Sequence, residues 1–266
     1  SRRNAYAGRD EAFPDYTCPT QKFAARALVT MPGGADLLVQ LPTGAGKSTL
    51  FYLGVNWWRE IVRDGDPCAV VVVPTTSLAD AHLETAQRTP GFERSASITG
   101  NTSQDRRKSI LKAFQRGEIP LLFVSPEMAV SRRARKALET VSQPLNDRTD
   151  PEHRGRLMGI LIDEAHIVEA WGLFFRPDFQ QLGPYVTHLR HYNPDLRCVM
   201  LSATVTDQAA DTLQAMFPAD DEFLTVSAET ARTEFHAGLH EFADIEEQRD
   251  AVEEALRFAA RPAIIY

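Results

Sequence analysis

Short apolar runs rich in branched side chains alternate along the chain with longer stretches in which apolar positions recur every three or four residues. The first pattern suits strands buried on both faces, and the second suits amphipathic helices. Strands are expected at 36–40, 69–73, 95–99, 120–124, 157–162 and 197–201, and helices at 77–88, 105–116 and 132–141. Alternation of this kind builds an α/β fold on a parallel sheet, because parallel neighbours need a crossover and a helix supplies it. Chemistry in such sheets gathers in the loops at the carboxyl ends of the strands.

Residues 142–156, SQPLNDRTDPEHRGR, are polar, hold two prolines and show no period, so they read as an exposed loop. After the run at 223–227, AETARTEFHAG reads as a linker, followed by an acidic helix over about 245–260 and a short last strand, RPAIIY. That strand needs neighbours beyond the first sheet. Residues 1–230 are therefore expected to form one domain, and 231–266 a linker with the start of a second.

At 43% hydrophobic and 24% charged, the 266 residues can bury a sizeable core. The net charge of −7 argues against coating nucleic acid by bulk charge and leaves room only for a local basic groove. Cys18, Cys68 and Cys198 are far apart, with no metal-ligand spacing, which fits a reducing, cytoplasmic setting. No apolar stretch approaches the roughly 20 residues that cross a bilayer, and no membrane partner is expected. The start SRRNAYAGRDEAF lacks the apolar core of a signal peptide and begins without methionine, so a fragment of a longer protein is expected.

Candidate chemistry begins where DLLVQ runs into LPTGAGKSTLFYLGVNWW. A small-residue turn between strand and helix is what a phosphate loop requires. Gly44 and Gly46 let main-chain N–H groups face a polyphosphate, the helix starting near Lys47 aims its positive end there, and Lys47 reaches the terminal phosphates. Thr43, Ala45 and Thr49 complete the nucleotide-binding set, and Ser48 is the candidate hydroxyl ligand of a magnesium ion. Leu41 stands where the common GxxxxGK[ST] pattern has glycine.

Asp163 and Glu164 fall at the end of the apolar run 157–162. Two carboxylates delivered by a buried strand are costly unless positive charge compensates them. A magnesium ion on nucleotide phosphates would do so, with Asp163 holding the metal and Glu164 deprotonating the attacking water. Taken alone, DEAH also fits a helix start, where the dipole favours acidic residues.

LPTGAGKS, DEAH and SAT (Ser202 to Thr204), in that order and each at a strand end, resemble motifs I, II and III of superfamily-two helicases. Within that group AWGLFFRPDFQQLG resembles the aromatic-rich loop of RecQ helicases, usually close to QWGHDFRPEY. VVVPTTSLADAH, GEIPLLFVSPEM and RPAIIY resemble further family segments, so the likeness covers nearly the whole chain.

The resemblance implies a RecA-like P-loop NTPase domain that uses ATP and Mg2+ and moves 3′ to 5′ on single-stranded or forked DNA. It makes Gln21 of TCPTQ the reader of the adenine edge and Tyr16 a candidate for stacking on the base, although Cys18 replaces the family's arginine and Gln21 also fits an ordinary helix start. Trp171, Phe175 and Arg176 become DNA contacts, with Leu173 and Phe174 in place of the family's histidine and aspartate. His166, Ser202 and Thr204 become coupling residues, unless the hydroxyls simply cap the helix near Asp207. Thr75, Thr76, Thr99 and Ser103 are candidates for the phosphate track, while RRK at 106–108 and RRARK at 132–136 read as solvated helix faces. An arginine finger is expected outside this chain. Three other classes stay open: an RNA helicase, a double-strand translocase in a defence or repair complex, and a scaffold without hydrolysis.

Overall fold

A computed structural model of the chain describes residues 15–167, 180–217, 223–228 and 242–258. The chain divides into two compact units, Ser1–Glu229 and Thr230–Tyr266. Among the described residues unit 1 holds seven strands: β1 (Asp36–Gln40), β2 (Asp66–Val72), β3 (Ala96–Ile98), β4 (Leu121–Val124), β5 (Gly155–Ile162), β6 (Arg197–Ser202) and β7 (Phe223–Ser227). All described pairings are parallel, in the order β3-β4-β2-β5-β6-β1-β7. Its described helices are α1 (Pro19–Thr30), α2 (Thr49–Ile61), α3 (Thr76–Gln87), α4 (Gln104–Gln115), α5 (Pro126–Ala129), α6 (Arg132–Ser142), α7 (Leu182–Arg190) and α8 (Asp207–Met216). In unit 2 the described residues form the acidic helix Ile245–Phe258, and the expected last strand, RPAIIY, lies outside the described residues.

Side chains alternate through the sheet as a doubly covered strand requires. Leu37 and Val39 of β1 join Val71 of β2 in a cluster under α1, α2 and α3, whereas Leu38, Val70 and Val72 join the opposite cluster under α4, α6, α7 and α8. Both faces are covered by apolar clusters, so polar chemistry is left to the strand ends. Burial pushes the Cys68 and Cys198 thiols up, which keeps both as inert core residues.

Differences from the expected elements are local. β2 begins at Asp66 and β5 at Gly155, each ahead of its apolar run, because residues 66–68 pair with 155–157 before a register shift. The loop at 142–156 therefore gives its last two residues to β5 and holds a 3-10 turn at Leu145–Asp147. Arg148 pins it, its guanidinium donating to the main-chain carbonyls of Val141, Gln143, His153 and Gly155. Gly183 and Pro184 mask α7 in the sequence, since both read as breakers although proline is tolerated in a helix's first turn. Among the described residues no helix is long and apolar enough to cross a membrane.

Candidate functional site

β1 carries the phosphate loop. Leu41 N donates to Ser202 O at 3.0 Å, one residue past the strand. The Leu41 side chain is fully buried in the cluster beneath, which accounts for leucine at a position where the common pattern has glycine. Gly44 and Gly46 have φ of +82 and +78, a left-handed backbone that glycine adopts without steric penalty. A Cβ on Gly44 would meet no atom within 4 Å, so that side of the turn is open to a ligand. At Gly46 a Cβ would overlap the Gln21 amide, so the second glycine serves close approach instead. Thr43 is exposed, and Ala45, Ser48 and Thr49 are half-buried. The chain tightens into α2 through Thr49 N to Gly46 O and Leu50 N to Lys47 O, at 3.1 and 3.0 Å. Lys47 is 8% exposed, and its ammonium donates to Leu41 O at 3.2 Å. That carbonyl takes one of its three donors.

Gln21, 4% exposed on the first turn of α1, is fastened to this loop. Its Nε2 donates to Gly46 O at 3.1 Å, and its Oε1 accepts from Thr17 N at 2.6 Å and Thr17 Oγ1 at 2.8 Å. The single Thr17 hydroxyl proton is shared between Gln21 Oε1 and Ala45 O, the latter at 3.2 Å, so Thr17 N is the undivided donor to Oε1, and one Nε2 proton is free of these contacts. Two-point recognition of adenine, with Oε1 accepting from the base, is open when the Thr17 hydroxyl donates to Ala45 O instead. Thr17 was not singled out from sequence; its spacing of four from Gln21 across a helix N-cap is the signal that marks it. Cys18 is that N-cap, its Sγ accepting from Gln21 N at 3.4 Å. Tyr16 lies in the apolar cluster at 9% exposure, so the structure places its ring with the core.

β5 delivers the acidic pair. Asp163 N donates to Val72 O and Ala165 N to Leu201 O, so the DEAH turn is tied first to β2 and then to β6. Between them Glu164 has φ +52. Asp163 is 5% exposed, and its Oδ2 lies 2.8 Å from Nε2 of His82 on α3. Glu164 Oε2 is 3.3 Å from His166 Nδ1, which is also 3.0 Å from Ser202 Oγ. Because Ser202 Oγ donates to Thr204 O at 2.6 Å, its only proton is used, and His166 Nδ1 is the donor to Ser202 Oγ. Thr204 enters through its main chain, while its side chain is exposed. Capping of α8 belongs to Thr206, whose Oγ1 accepts from Ala209 N at 3.0 Å, and not to Ser202 or Thr204.

β6 alone separates β1 from β5, so in a parallel sheet Ser48 and Asp163 follow strand ends on one edge. A hydroxyl and a carboxylate are the hard oxygen donors magnesium takes. Among the described residues no group of three or more His, Cys, Asp or Glu side chains could hold a metal. The ion's remaining ligands would therefore be phosphate and water, as is usual for magnesium on a nucleotide. These residues fit the group.

The candidate track residues follow β2 and β3 on the same edge. Exposed Thr75 and Ser103 are the N-caps of α3 and α4, accepting from Leu78 N and Arg106 N at 3.3 and 3.4 Å. Thr76 is half-buried. Thr99 is 4% exposed, and its carbonyl accepts from Arg107, which also bonds the carbonyls of Gly100 and Thr102. Arg107 of the RRK cluster therefore braces the loop. In RRARK, Arg135 lies 4.9 Å over the Tyr185 ring and donates to Gln181 Oε1, whereas Arg132, Arg133 and Lys136 are exposed. Trp171, Phe175 and Arg176 lie outside the described residues, as do Leu173 and Phe174.

The sequence pattern of the DEAD/DEAH box helicase family matches residues 19–213. ATP-dependent DNA helicase Q5 of Mus musculus is 30% identical over 205 residues, 76% of this chain and 18% of its own length. ATP-dependent helicase SGS1 of Saccharomyces cerevisiae is 28% identical over 237 residues, 88% of this chain and 15% of its own. The chain thus spans less than a fifth of either relative. In fold, it is similar to the DEAD-box helicase Mss116 bound to ssRNA and UDP-BeF, with a TM-score of 0.58 at 19% identity over 82% of this chain and 41% of that one.

Proposed function

Since the chain belongs to the DEAD/DEAH box helicase family, we propose that it is the first RecA-like domain, with the beginning of a second, of an ATP-dependent DNA helicase of RecQ type. The carrying observation is the convergence on one sheet edge of Lys47 from β1's loop and the Asp163–Glu164 pair from β5, with RecQ-type DNA helicases among the relatives.

In this reading the N–H groups of the 44–49 turn and the Lys47 ammonium bind the β and γ phosphates. Ser48 and Asp163 hold magnesium, which neutralises phosphate charge when bound. Glu164 orients a water in line with the γ-phosphorus and takes its proton as the new P–O bond forms and the bond to the β-phosphate oxygen breaks, leaving ADP and phosphate. His166 donates to Ser202 of the SAT segment and lies 3.3 Å from Glu164, which joins the water-activating residue to β6. Alternating affinity for DNA between nucleotide states drives movement 3′ to 5′ along one strand. Single-stranded or forked DNA is the track, contacted by Trp171, Phe175 and Arg176 and by the edge formed by Thr75, Thr76 and Ser103, with the buried Thr99 supporting that edge from beneath. The setting is cytoplasmic and nucleoid-associated, with partner proteins of a repair or defence complex.

The test is ATP hydrolysis by the full-length protein with single-stranded DNA, duplex DNA and RNA compared side by side. Single-stranded DNA should stimulate most, and Lys47→Ala or Glu164→Gln should cut the stimulated rate by at least about 100-fold. Retained activity in both variants would place the motor elsewhere, and preference for RNA would overturn the DNA assignment.

A further inference from the structure

His82 belongs to none of the resemblance-derived site residues, yet it makes the shortest described side-chain contact to the acidic pair. α3 buries the side carrying Ala79 and Ala86, and His82 lies between them at helical spacing, on that same side. Its ring is stacked on Phe123 of β4, with centroids 5.8 Å apart and planes at 11°, and meets Phe51 of α2 edge-on at 5.4 Å. These two aromatic neighbours limit how far the imidazole can swing. Nε2 then points at Asp163 Oδ2 from 2.8 Å, the two side chains being 12% and 5% exposed.

An ionised carboxylate only accepts, so Nε2 carries the proton and donates it. One carboxylate oxygen is thereby held, and the direction of the other is set by a ring that three elements keep in place. An aliphatic residue would fill this slot between two phenylalanines without the cost of burying a polar group. What the imidazole adds is the hydrogen bond to Asp163, and carboxylates that ligate a cation depend on such outer hydrogen bonds for their orientation.

We propose that His82 is a positioning residue that orients the Asp163 carboxylate for the magnesium–nucleotide complex. The inference rests on the nucleotide-site reading given above. It gives α3, whose N-cap Thr75 lies on the candidate track, a second part on the metal side of the site, and it makes no claim on proton transfer.

The test measures binding of a fluorescent methylanthraniloyl-ADP to the full-length protein as free Mg2+ is varied, and again in excess EDTA. His82→Phe keeps an aromatic ring between Phe51 and Phe123 and removes the donor; His82→Gln keeps a side-chain N–H donor. His82→Phe should raise the Mg2+ needed for half-maximal binding by about 10- to 100-fold, leave the affinity in EDTA within about twofold, and melt like the wild type, while His82→Gln recovers most of the loss. A wild-type Mg2+ requirement in His82→Phe overturns the proposal, as does an equal loss with and without Mg2+, which is the mark of a merely structural role. Wild-type protein that binds the nucleotide with no Mg2+ dependence overturns the nucleotide-site reading itself and this inference with it.

Discussion

Glu164 is the described non-glycine residue with positive φ, at +52, and it sits where the reaction reading needs a base. A left-handed residue with a Cβ costs about 1–2 kcal/mol, and the turn is held there by Asp163 N to Val72 O on one side and Ala165 N to Leu201 O on the other. Glu164→Gly is therefore expected to stabilise the fold by about 1 kcal/mol while removing hydrolysis. A lowered melting temperature would show that the turn is unstrained. Other residues differ in how visible they were. Lys47 and Asp163 stand out because their motifs are contiguous in sequence. Thr17 and His82 do not, because the first acts through a loop 28 residues away and the second through a contact 81 residues away. Gln21 was legible as a residue of interest, but its engagement with Gly46 and Thr17 was not.

Among elements, the strand leading to the phosphate loop is anchored from below. Asp36 opens β1 with no exposed surface and receives the Arg190 guanidinium from the end of α7, Nη2 to Oδ1 at 2.6 Å and Nη1 to Oδ2 at 3.4 Å. Burial raises the Asp36 pKa more than Arg190 lowers it. A carboxyl whose folded pKa exceeds the unfolded one adds stability below the unfolded value and loses it as pH rises through the folded value. Removing Arg190 raises the folded value further and leaves a buried charge at neutral pH. Arg190→Ala should then cost about 3–5 kcal/mol near neutrality, measured by urea unfolding, and less as pH falls and Asp36 takes up its proton. A loss independent of pH would remove Asp36 from the account. Nothing in the periodicity announces this anchor: α7 is hidden by Gly183 and Pro184, and Asp36 reads as a strand's polar edge.

For the whole molecule, charge is distributed against its total. The net −7 is spread over 266 residues, yet Arg132, Arg133 and Lys136 are exposed at the start of α6, which follows β4 and α5 on the edge that carries the site. In the helicase reading, hydrolysis needs closure of a cleft between two RecA-like domains and an arginine that reaches across it. These 266 residues by themselves should accordingly bind nucleotide weakly and turn it over slowly, with no more than a small response to DNA. Robust DNA-stimulated turnover by this chain alone would refute the requirement for a second full domain.

Strand and helix order, the parallel sheet, the phosphate loop and the acidic strand end follow from local patterns, because apolar period and contiguous motifs are properties of neighbouring residues. Their meeting on one edge follows almost as directly, since parallel strands share a carboxyl end. Side-chain partnerships across elements do not follow. His82 on Asp163, Gln21 and Thr17 on the Gly46 turn, and Arg190 on Asp36 join residues 25 to 154 apart, and each exists only after two elements have packed. Packing direction and depth set those distances, and neither is written in the period of any one segment.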